Sequence, residues 1–166
     1  VWGLQLAKAA GLRAIITSSS ASKLERARAM GADGLINYRD TPDWQDEALR
    51  LTDGEGAHVV LEVGGEGTLA RSVAAARMGG TIAVIGGVSG FAAVPVAPLA
   101  LIAGSKRLQG IFVGSRRMLE DVARFVEVAG IVPVIDRVFG FDEAPAAFEH
   151  LASGGHFGKV VIRVAK

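Results

Sequence analysis

A run of hydroxyl side chains followed by a lysine is the first segment whose residue types could bind a ligand. Residues 17–20 read Thr-Ser-Ser-Ser, and Lys23 follows shortly after. They come at the end of an apolar run, residues 13–17, that is typical of a buried strand. Hydroxyls and an ammonium group favour a phosphate, which a carboxylate there would repel. Ser18, Ser19 and Lys23 are therefore candidate phosphate-binding residues; the alternative is that the serines only cap the next helix.

A second candidate is the segment Gly65-x-Gly67-x-x-Ala70, which matches the glycine pattern of a dinucleotide-binding loop. That loop is normally followed, about 20 residues later, by a carboxylate at the end of the next strand. Residues 85–89 read Ile-Gly-Gly-Val-Ser and contain none. We therefore interpret residues 65–70 as a tight turn that approaches a ligand, and not as a pyrophosphate loop.

Residue types that usually perform catalysis are sparse. His58, His150 and His156 are scattered without metal-ligand spacing, and the absence of cysteine excludes a thiolate metal site. The only tyrosine, Tyr38, has Pro42 where a short-chain reductase would need lysine, and no G-x-S-x-G segment occurs. We therefore assign no catalytic residue and no metal ligand to these 166 residues.

Apolar runs of strand length alternate with segments of helical periodicity. Predicted strands cover residues 13–17, 34–37, 58–63, 81–85, 108–113, 134–139 and 159–164; predicted helices cover residues 3–10, 22–30, 42–51, 68–78, 116–129 and 143–152. Ser22 and Glu25 have capping-box spacing for the helix of residues 22–30. Such alternation is typical of βαβ units. We predict an α/β fold, a doubly wound parallel sheet of Rossmann type, forming one dinucleotide-binding domain over residues 1–166.

The pattern begins on a helix, whereas a doubly wound domain begins on a strand followed by a glycine-rich turn. The chain also opens on Val1 and not on Met. We therefore expect the fold to be N-terminally incomplete, with that strand and its glycine loop upstream of Val1. The alternative is a domain that simply begins with a helix.

Eight short segments add a family resemblance when they are taken together and in order. They are residues 4–11 (Leu-Gln-Leu-Ala-Lys-Ala-Ala-Gly), 23–27 (Lys-Leu-Glu-Arg-Ala), 30–33 (Met-Gly-Ala-Asp), 36–38 (Ile-Asn-Tyr), 62–65 (Glu-Val-Gly-Gly), 79–80 (Gly-Gly), 85–86 (Ile-Gly) and 157–161 (Phe-Gly-Lys-Val-Val). This ordered set resembles the cofactor domain of the medium-chain dehydrogenase/reductase superfamily. Its zinc-type alcohol dehydrogenase-like and quinone oxidoreductase-like branch is the nearest.

The resemblance implies a larger oxidoreductase, in which a separate N-terminal barrel-like domain carries any catalytic zinc ligands and most of the substrate pocket. It implies hydride transfer between a nicotinamide dinucleotide and an alcohol/carbonyl pair, a quinone or an activated alkene. NADP(H) is favoured over NAD(H), because the hydroxyls and lysine replace the expected acid. Zinc dependence stays open, and the 166 residues alone are expected to be inactive.

The resemblance also implies positions for the cofactor. The candidate adenosine 2′-phosphate residues are Ser18, Ser19 and Lys23, with Tyr38 near them. The candidate nicotinamide-side residues are Val63 and Gly64 at the ribose, Ile85, Gly86, Phe112 and Val113 around the nicotinamide, and Lys159 reaching the cofactor from the last strand.

Two other classes of protein remain as alternatives. One is a non-catalytic nucleotide-binding or structural protein on the same fold. The other is a methyltransferase, against which the segment of residues 157–161 argues. A formal net charge of +1 gives no reason to expect nucleic acid as a partner. The most apolar run, residues 90–104, is too short and too rich in proline to span a membrane, so we expect a cytoplasmic protein.

The segment Ala97–Ile102 suggests self-association. It is apolar without the alternation of a half-buried strand, and it lies between two predicted strands. We interpret it as an exposed edge strand that pairs with its own copy in a homodimer, because such an edge aggregates unless it is covered. The alternative is a short helix packed on its own domain.

Overall fold

The computed structural model describes residues 1–165, and within them the chain forms seven α-helices, seven strands and one 3-10 helix, Phe141–Glu143. The helices are α1 (Trp2–Ala9), α2 (Ala21–Ala29), α3 (Trp44–Arg50), α4 (Leu69–Ala75), α5 (Pro98–Ile102), α6 (Arg116–Val128) and α7 (Ala144–Ala152). The strands are β1 (Ile15–Ser18), β2 (Gly34–Asn37), β3 (Ala57–Glu62), β4 (Ala76–Val84), β5 (Arg107–Gly110), β6 (Ile135–Gly140) and β7 (Lys159–Arg163). No helix in this described range combines the length and apolarity needed to cross a membrane.

All strand pairs are parallel. They form one sheet of β1 and β2, one of β3, β4 and β5 in that order, and one of β6 and β7. Helices connect successive strands, so the predicted α/β architecture with parallel strands is confirmed. Because parallel strands run in the same direction, their carboxyl ends meet at one edge: Ser18 pairs with Asn37, and Val84 pairs with both Glu62 and Gly110.

The backbone divides into two compact units. Unit 1 comprises Val1–Ala14, Glu25–Asp33 and the described chain from Arg116 onward. Unit 2 comprises Ile15–Leu24 and Gly34–Ser115. The sheets β1–β2 and β3–β4–β5 belong to unit 2, and the pair β6–β7 belongs to unit 1.

Two apolar clusters form the core of unit 2. One cluster is built on Ile36, Ala48 and Ala75, with Ile15, Trp44 and Leu51 packed against it. The other is built on Val73, Ala76 and Ile82, with Val60, Leu69, Val84, Val96 and Leu101 packed against it. Residues of α4 contribute to both clusters, so this helix contacts the core beneath both sheets of the unit. A fully buried side chain such as Ile82 contributes about 2 kcal/mol of transfer free energy.

The helix predicted over residues 68–78 ends earlier, at Ala75, and β4 begins at Ala76. The reason is a close backbone approach at the start of β3. A Cβ on Gly56 would lie 2.8 Å from the carbonyl oxygen of Ala75 and from the amide nitrogen of Arg77. Ala76 pairs with Ala57 across this contact, so tertiary pairing takes over backbone groups that helical periodicity had assigned to α4.

The segment Ala97–Ile102 is not a strand, so the prediction of an edge strand there is wrong. Pro98 opens the short helix α5, where its missing N–H costs nothing. Leu101 packs against the second core cluster of unit 2, whereas Leu99 and Ile102 are each 71% exposed. The edge strand of the three-stranded sheet is β5 instead.

Asp136 organises polar contacts in unit 1. Its carboxylate lies 2.8 Å from His150 Nε2 and accepts bonds from the Phe157 N–H at 3.0 Å and from Arg26 Nη1 at 3.4 Å. The hydrogen bond from His150, followed by that from Phe157, lowers the pKa of Asp136 to about 2. The His150 and His156 rings have centroids 6.3 Å apart, so these two histidines are not scattered in space.

Candidate functional site

The carboxyl ends of β1 and β2 bring together the residues predicted to meet a 2′-phosphate. Ser18 is the last residue of β1 and stands opposite Asn37. The Tyr38 N–H donates to the Ser18 carbonyl at 3.1 Å, so Tyr38 lies directly beside the hydroxyl segment. Arg39, an exposed cation after β2, lies one residue further and was not singled out in the sequence. The sequence feature that could have identified Arg39 is its position shortly after the end of a predicted strand.

The hydroxyl segment also starts α2, and the cap is Ser20. The Ser20 hydroxyl accepts from the Lys23 N–H at 3.4 Å and lies 2.9 Å from the Ser22 hydroxyl. The helix begins at Ala21, so Ser22 is already inside it and its predicted role in a capping box is wrong. The Ser18 hydroxyl accepts from the Ser20 N–H at 3.2 Å, which leaves its own O–H able to donate. Thus Ser20 does the capping, and Ser18, Ser19 and Lys23 stand at the positive end of the helix dipole.

Two loops leave the carboxyl ends of β3 and β4, and hydrogen bonds join them along their length. The Val88 N–H donates to the Val63 carbonyl at 3.0 Å, and the Ser89 N–H donates to the Gly64 carbonyl at 2.8 Å. The Ser89 hydroxyl adds a second bond to the Gly64 carbonyl at 2.7 Å. The predicted nicotinamide-side residues Val63 and Gly64 therefore sit in a cross-linked pair of loops.

Glycine is required where these loops touch. Gly65 has a φ of +87°, and a Cβ there would lie 2.6 Å from the Gly90 carbonyl oxygen. A Cβ on Gly86 would lie 3.0 Å from the Val63 carbonyl oxygen. Gly65 thus belongs to a tight turn packed on the neighbouring loop, and the approach of this turn to a ligand stays a prediction.

A buried carboxylate under these loops was missed in the sequence. Glu62 is 2% exposed and accepts bonds from the Gly65 N–H at 2.7 Å, from the Thr68 hydroxyl at 2.6 Å and from the Ser72 hydroxyl. The sequence pattern that could have identified it is an acidic residue at the end of an apolar strand, followed by two hydroxyl residues spaced four residues apart. That spacing places Thr68 and Ser72 on one helical face.

The end of β5 adds a third strand end to the same edge. The predicted strand over residues 108–113 stops at Gly110, although the Ile111 N–H still donates to the Val84 carbonyl at 2.9 Å. Phe112 is 92% exposed, and Val113 has a φ of +49°, which is costly for a β-branched residue. Phe112 and Val113 thus follow the strand next to the one that ends before Ile85 and Gly86.

Lys159 lies in the other compact unit, as the first residue of β7, where its N–H donates to the Val134 carbonyl at 2.8 Å. In unit 2 the structure brings the remaining predicted residues together in two groups, one after β1 and β2 and one after β3, β4 and β5. Across residues 1–165 no three His, Asp or Glu side chains form a group that could hold a metal ion.

Similarity to known proteins identifies the larger class. Residues 1–128 match the family model described as zinc-binding dehydrogenase. A zinc-type alcohol dehydrogenase-like protein of Schizosaccharomyces pombe is 43% identical over 168 residues, which cover 98% of this chain and 48% of that protein. The chain therefore spans about half the length of the curated relatives it matches.

Solved structures share the fold closely. A protein of Sinorhizobium meliloti, provisionally described as an alcohol dehydrogenase, is 46% identical with a TM-score of 0.89, over 98% of this chain and 47% of that one. An NAD-dependent alcohol dehydrogenase is 35% identical with a TM-score of 0.86, over 98% and 47%. A mycobacterial protein complexed with NADPH is 27% identical with a TM-score of 0.80, over 96% and 52%. The chain belongs to the zinc-binding dehydrogenase family of the medium-chain dehydrogenase/reductase superfamily and corresponds to its cofactor-binding half.

Proposed function

We propose that the protein containing this chain is an oxidoreductase that binds NADP(H) in preference to NAD(H). Its reaction is hydride transfer to or from an alcohol/carbonyl pair, a quinone or an activated alkene. The observation that carries this proposal is the pair of hydrogen-bonded loops after β3 and β4, beside the end of β5, where Gly65 and Gly86 let the two loop backbones approach closely. Ligands of open α/β sheets bind outside the carboxyl ends of the strands.

The residues at this edge fit a dinucleotide. Val63 and Gly64 offer a rigid backbone surface for the nicotinamide ribose, because Ser89 fastens their loop. Ile85 and Val113, 47% and 76% exposed, offer apolar contact for a planar ring. A bound dinucleotide supplies the hydride chemistry, and these residues bind and orient it.

The preference for NADP(H) is argued from the other group of residues. Ser18, Ser19 and Lys23 provide hydroxyl donors and one cation at a helix N-terminus, which suits a phosphate dianion. The nearest acid along the chain, Glu25, lies 3.6 Å from Arg28 on the same helix, and the carboxylate of Asp40 after β2 accepts a bond from the Asn37 amide at 2.5 Å. Similar solved proteins include one that is NAD-dependent and one complexed with NADPH, so these residues and not the relatives carry the preference.

We propose that a strand and a glycine loop from outside these residues complete the sheet of unit 2. Among the described strands, β1 pairs only with β2, and β3 pairs only with β4. Val59 and Leu61 of β3 are 58% and 54% exposed, although the strand is apolar enough for a sheet covered on both faces. A strand between β1 and β3 would pair both open edges and carry the pyrophosphate loop.

Substrate binding and any catalytic zinc belong, in this proposal, to a further domain of the whole protein. The chain offers no thiolate, and residues 1–165 contain no metal-ligand group. We further propose a homodimer whose contact is made by the exposed face of α5, in place of the edge strand expected from the sequence.

Turnover by the full-length protein tests the proposal. NADPH oxidation would be followed with an aldehyde, a quinone and an enone as substrates. An enzyme is expected to oxidise NADPH with at least one of them, and NADH less efficiently. Tight NADPH binding without turnover of any of the three would favour the alternative, a non-catalytic nucleotide-binding protein. No binding of either dinucleotide would overturn the proposal.

A further inference from the structure

The carboxylate of Glu62 is buried directly beneath the loop proposed to border the nicotinamide ribose. Glu62 is the last residue of β3 and 2% exposed. Its hydrogen-bond donors are the Gly65 N–H and the hydroxyls of Thr68 and Ser72. All three donors are neutral. All three also belong to the single stretch of chain that leads from the strand into α4.

These bonds connect three parts of the fold through one side chain. The partners lie three, six and ten residues from Glu62, in the loop, at the residue before α4 and inside α4. A buried carboxylate is costly unless its lone pairs are satisfied. A loop conformation that moved the Gly65 N–H away would leave the buried carboxylate without one of its three donors, so burial favours the present conformation.

A carboxylate is not needed here for stability alone. Well-packed apolar side chains of similar volume are often as stabilising as a buried charge. What the carboxylate adds is a defined geometry for the loop backbone. The close approach of Gly64 to Thr68 depends on the same arrangement, because a Cβ on Gly64 would overlap the Thr68 hydroxyl that reaches Glu62.

We infer that Glu62 is a positioning residue for the nicotinamide half of the dinucleotide, an inference that rests on the proposed function. It fixes Val63 and Gly64, and through the Gly64 carbonyl it fixes Ser89 in the neighbouring loop. It touches no reacting atom. Its hydrogen bonds go to Gly65, Thr68 and Ser72, and within the described chain none joins it to the residues after β1 and β2, so its effect is expected mainly in the group after β3, β4 and β5.

The experiment distinguishes binding of the nicotinamide half of the cofactor from binding of its adenosine half. In the full-length protein, the dissociation constants of NADPH and of adenosine 2′,5′-bisphosphate would be measured by calorimetry for the wild type and Glu62→Gln. The bisphosphate probes only the adenosine side. NADPH is expected to bind about tenfold more weakly to Glu62→Gln, the equivalent of one charge-assisted hydrogen bond, whereas the affinity for the bisphosphate changes by less than about twofold.

A second variant and a control keep the result interpretable. Thr68→Val keeps the side-chain shape but removes one donor, and it should weaken NADPH binding by about threefold even if Glu62→Gln folds poorly. Glu55→Gln removes an exposed carboxylate before β3 and should leave both affinities at the wild-type value.

The outcomes distinguish the inference from the function beneath it. Equal weakening of NADPH and the bisphosphate, or unchanged NADPH affinity in both Glu62→Gln and Thr68→Val, overturns the inference alone. A wild type that binds neither NADPH nor NADH overturns the proposed function and the inference with it. If NADH is the tighter ligand, the proposed preference for NADP(H) is overturned, and the inference about Glu62 is tested with NADH and adenosine monophosphate in place of the two probes.

Discussion

The hydroxyl of Ser89 donates a hydrogen bond to the Gly64 carbonyl at 2.7 Å and accepts one from the Gly67 N–H at 3.3 Å. One side chain thus fastens the loop after β4 to the loop after β3. Ser89→Ala should lower the free energy of unfolding by about 1 kcal/mol, because it removes two exposed hydrogen bonds that contribute about 0.5 kcal/mol each. NADPH affinity should also fall, by about threefold, because the loop proposed to meet the ribose gains freedom.

Ser153 provides a matched control for this prediction. Its hydroxyl donates to the His150 carbonyl at 2.7 Å and accepts from the Gly155 N–H at 3.1 Å, so it makes the same pair of bonds in the other compact unit. Ser153→Ala should cost a similar amount of stability in urea unfolding without changing NADPH affinity. Equal loss of affinity in both variants would show that the two loops have no special relation to the cofactor.

Lys23 is expected to decide the choice between NADPH and NADH. It is half-buried in the first turn of α2, beside the hydroxyls that follow β1. Lys23→Ala should reduce NADPH affinity by about 2 kcal/mol, the worth of a charge-assisted contact, and leave NADH affinity nearly unchanged. Arg28→Ala removes an exposed cation near the far end of the same helix and serves as the control. Equal wild-type affinities for both cofactors would contradict this assignment.

Local patterns predicted the carboxyl ends of six strands to within one residue, because those ends depend on short-range composition, whereas β5 ends three residues before its predicted end. The Glu62 contacts could not be predicted in the same way, since the burial of its carboxylate arises only when α4 packs against β3. The contact of His150 with Asp136 likewise joins α7 to β6 across a turn. Hydrophobic periodicity shows which face of a helix or strand is buried, but it does not show which other element packs against that face.

Residues 97–102 show a second reason why the sequence alone could not predict the structure. A run of six apolar residues is compatible with either a strand or a short helix, and hydrophobic periodicity cannot distinguish the two elements over so short a length. Pro98 was the informative residue, because proline is favoured at the first turn of a helix and disfavoured in a paired strand. The early end of α4, at Ala75 and not at residue 78, has a different cause, namely the pairing of Ala76 with Ala57.

Acid should weaken unit 1 through Asp136, whose pKa is lowered to about 2 by the bonds from His150 and Phe157. A carboxyl with a depressed pKa stabilises the fold fully above its unfolded value of about 3.9. That contribution is lost as the pH falls from about 4 through about 2. Urea unfolding of the wild type between pH 5 and pH 2 should show this loss.

Asp136→Asn should be less stable than the wild type at pH 5 and should lose less stability on acidification. Asp142→Asn, which changes an exposed carboxylate of the same unit, should follow the wild-type dependence on pH. Parallel curves for Asp136→Asn and the wild type would mean that Asp136 is not the group responsible.

Val113 is expected to hold backbone strain beside the proposed nicotinamide site. Its φ of +49° is unfavourable for a β-branched residue, at a cost of about 1–3 kcal/mol. Val113→Gly removes that strain and adds about 0.5–1 kcal/mol of unfolded-state entropy, so the free energy of unfolding should rise by about 1 kcal/mol. NADPH affinity should fall by about threefold, because the segment becomes less ordered.

Asp53→Gly is the matched control, since Asp53 has a φ of +54° in the loop before β3. Aspartate tolerates this conformation better than valine, so the gain in stability should be smaller, and NADPH affinity should not change. A destabilised Val113→Gly variant would show that the conformation at residue 113 is not strained.

The face of α5 that carries Leu99 and Ile102 is expected to form the homodimer contact. These side chains are three residues apart on one side of the helix and each 71% exposed, whereas Leu101 packs against the core of its own unit. Charges placed on both exposed positions would have to be desolvated on association, which costs several kcal/mol when they find no partner. The double variant Leu99→Lys, Ile102→Lys should therefore sediment as a monomer with a wild-type unfolding midpoint.

Leu101→Lys should instead lower the unfolding midpoint, because it places a charge against the core. Val128→Lys changes a residue that is 83% exposed at the end of α6 and should leave the dimer intact. A monomeric wild type, or a double variant that still sediments as a dimer, would exclude α5 as the contact.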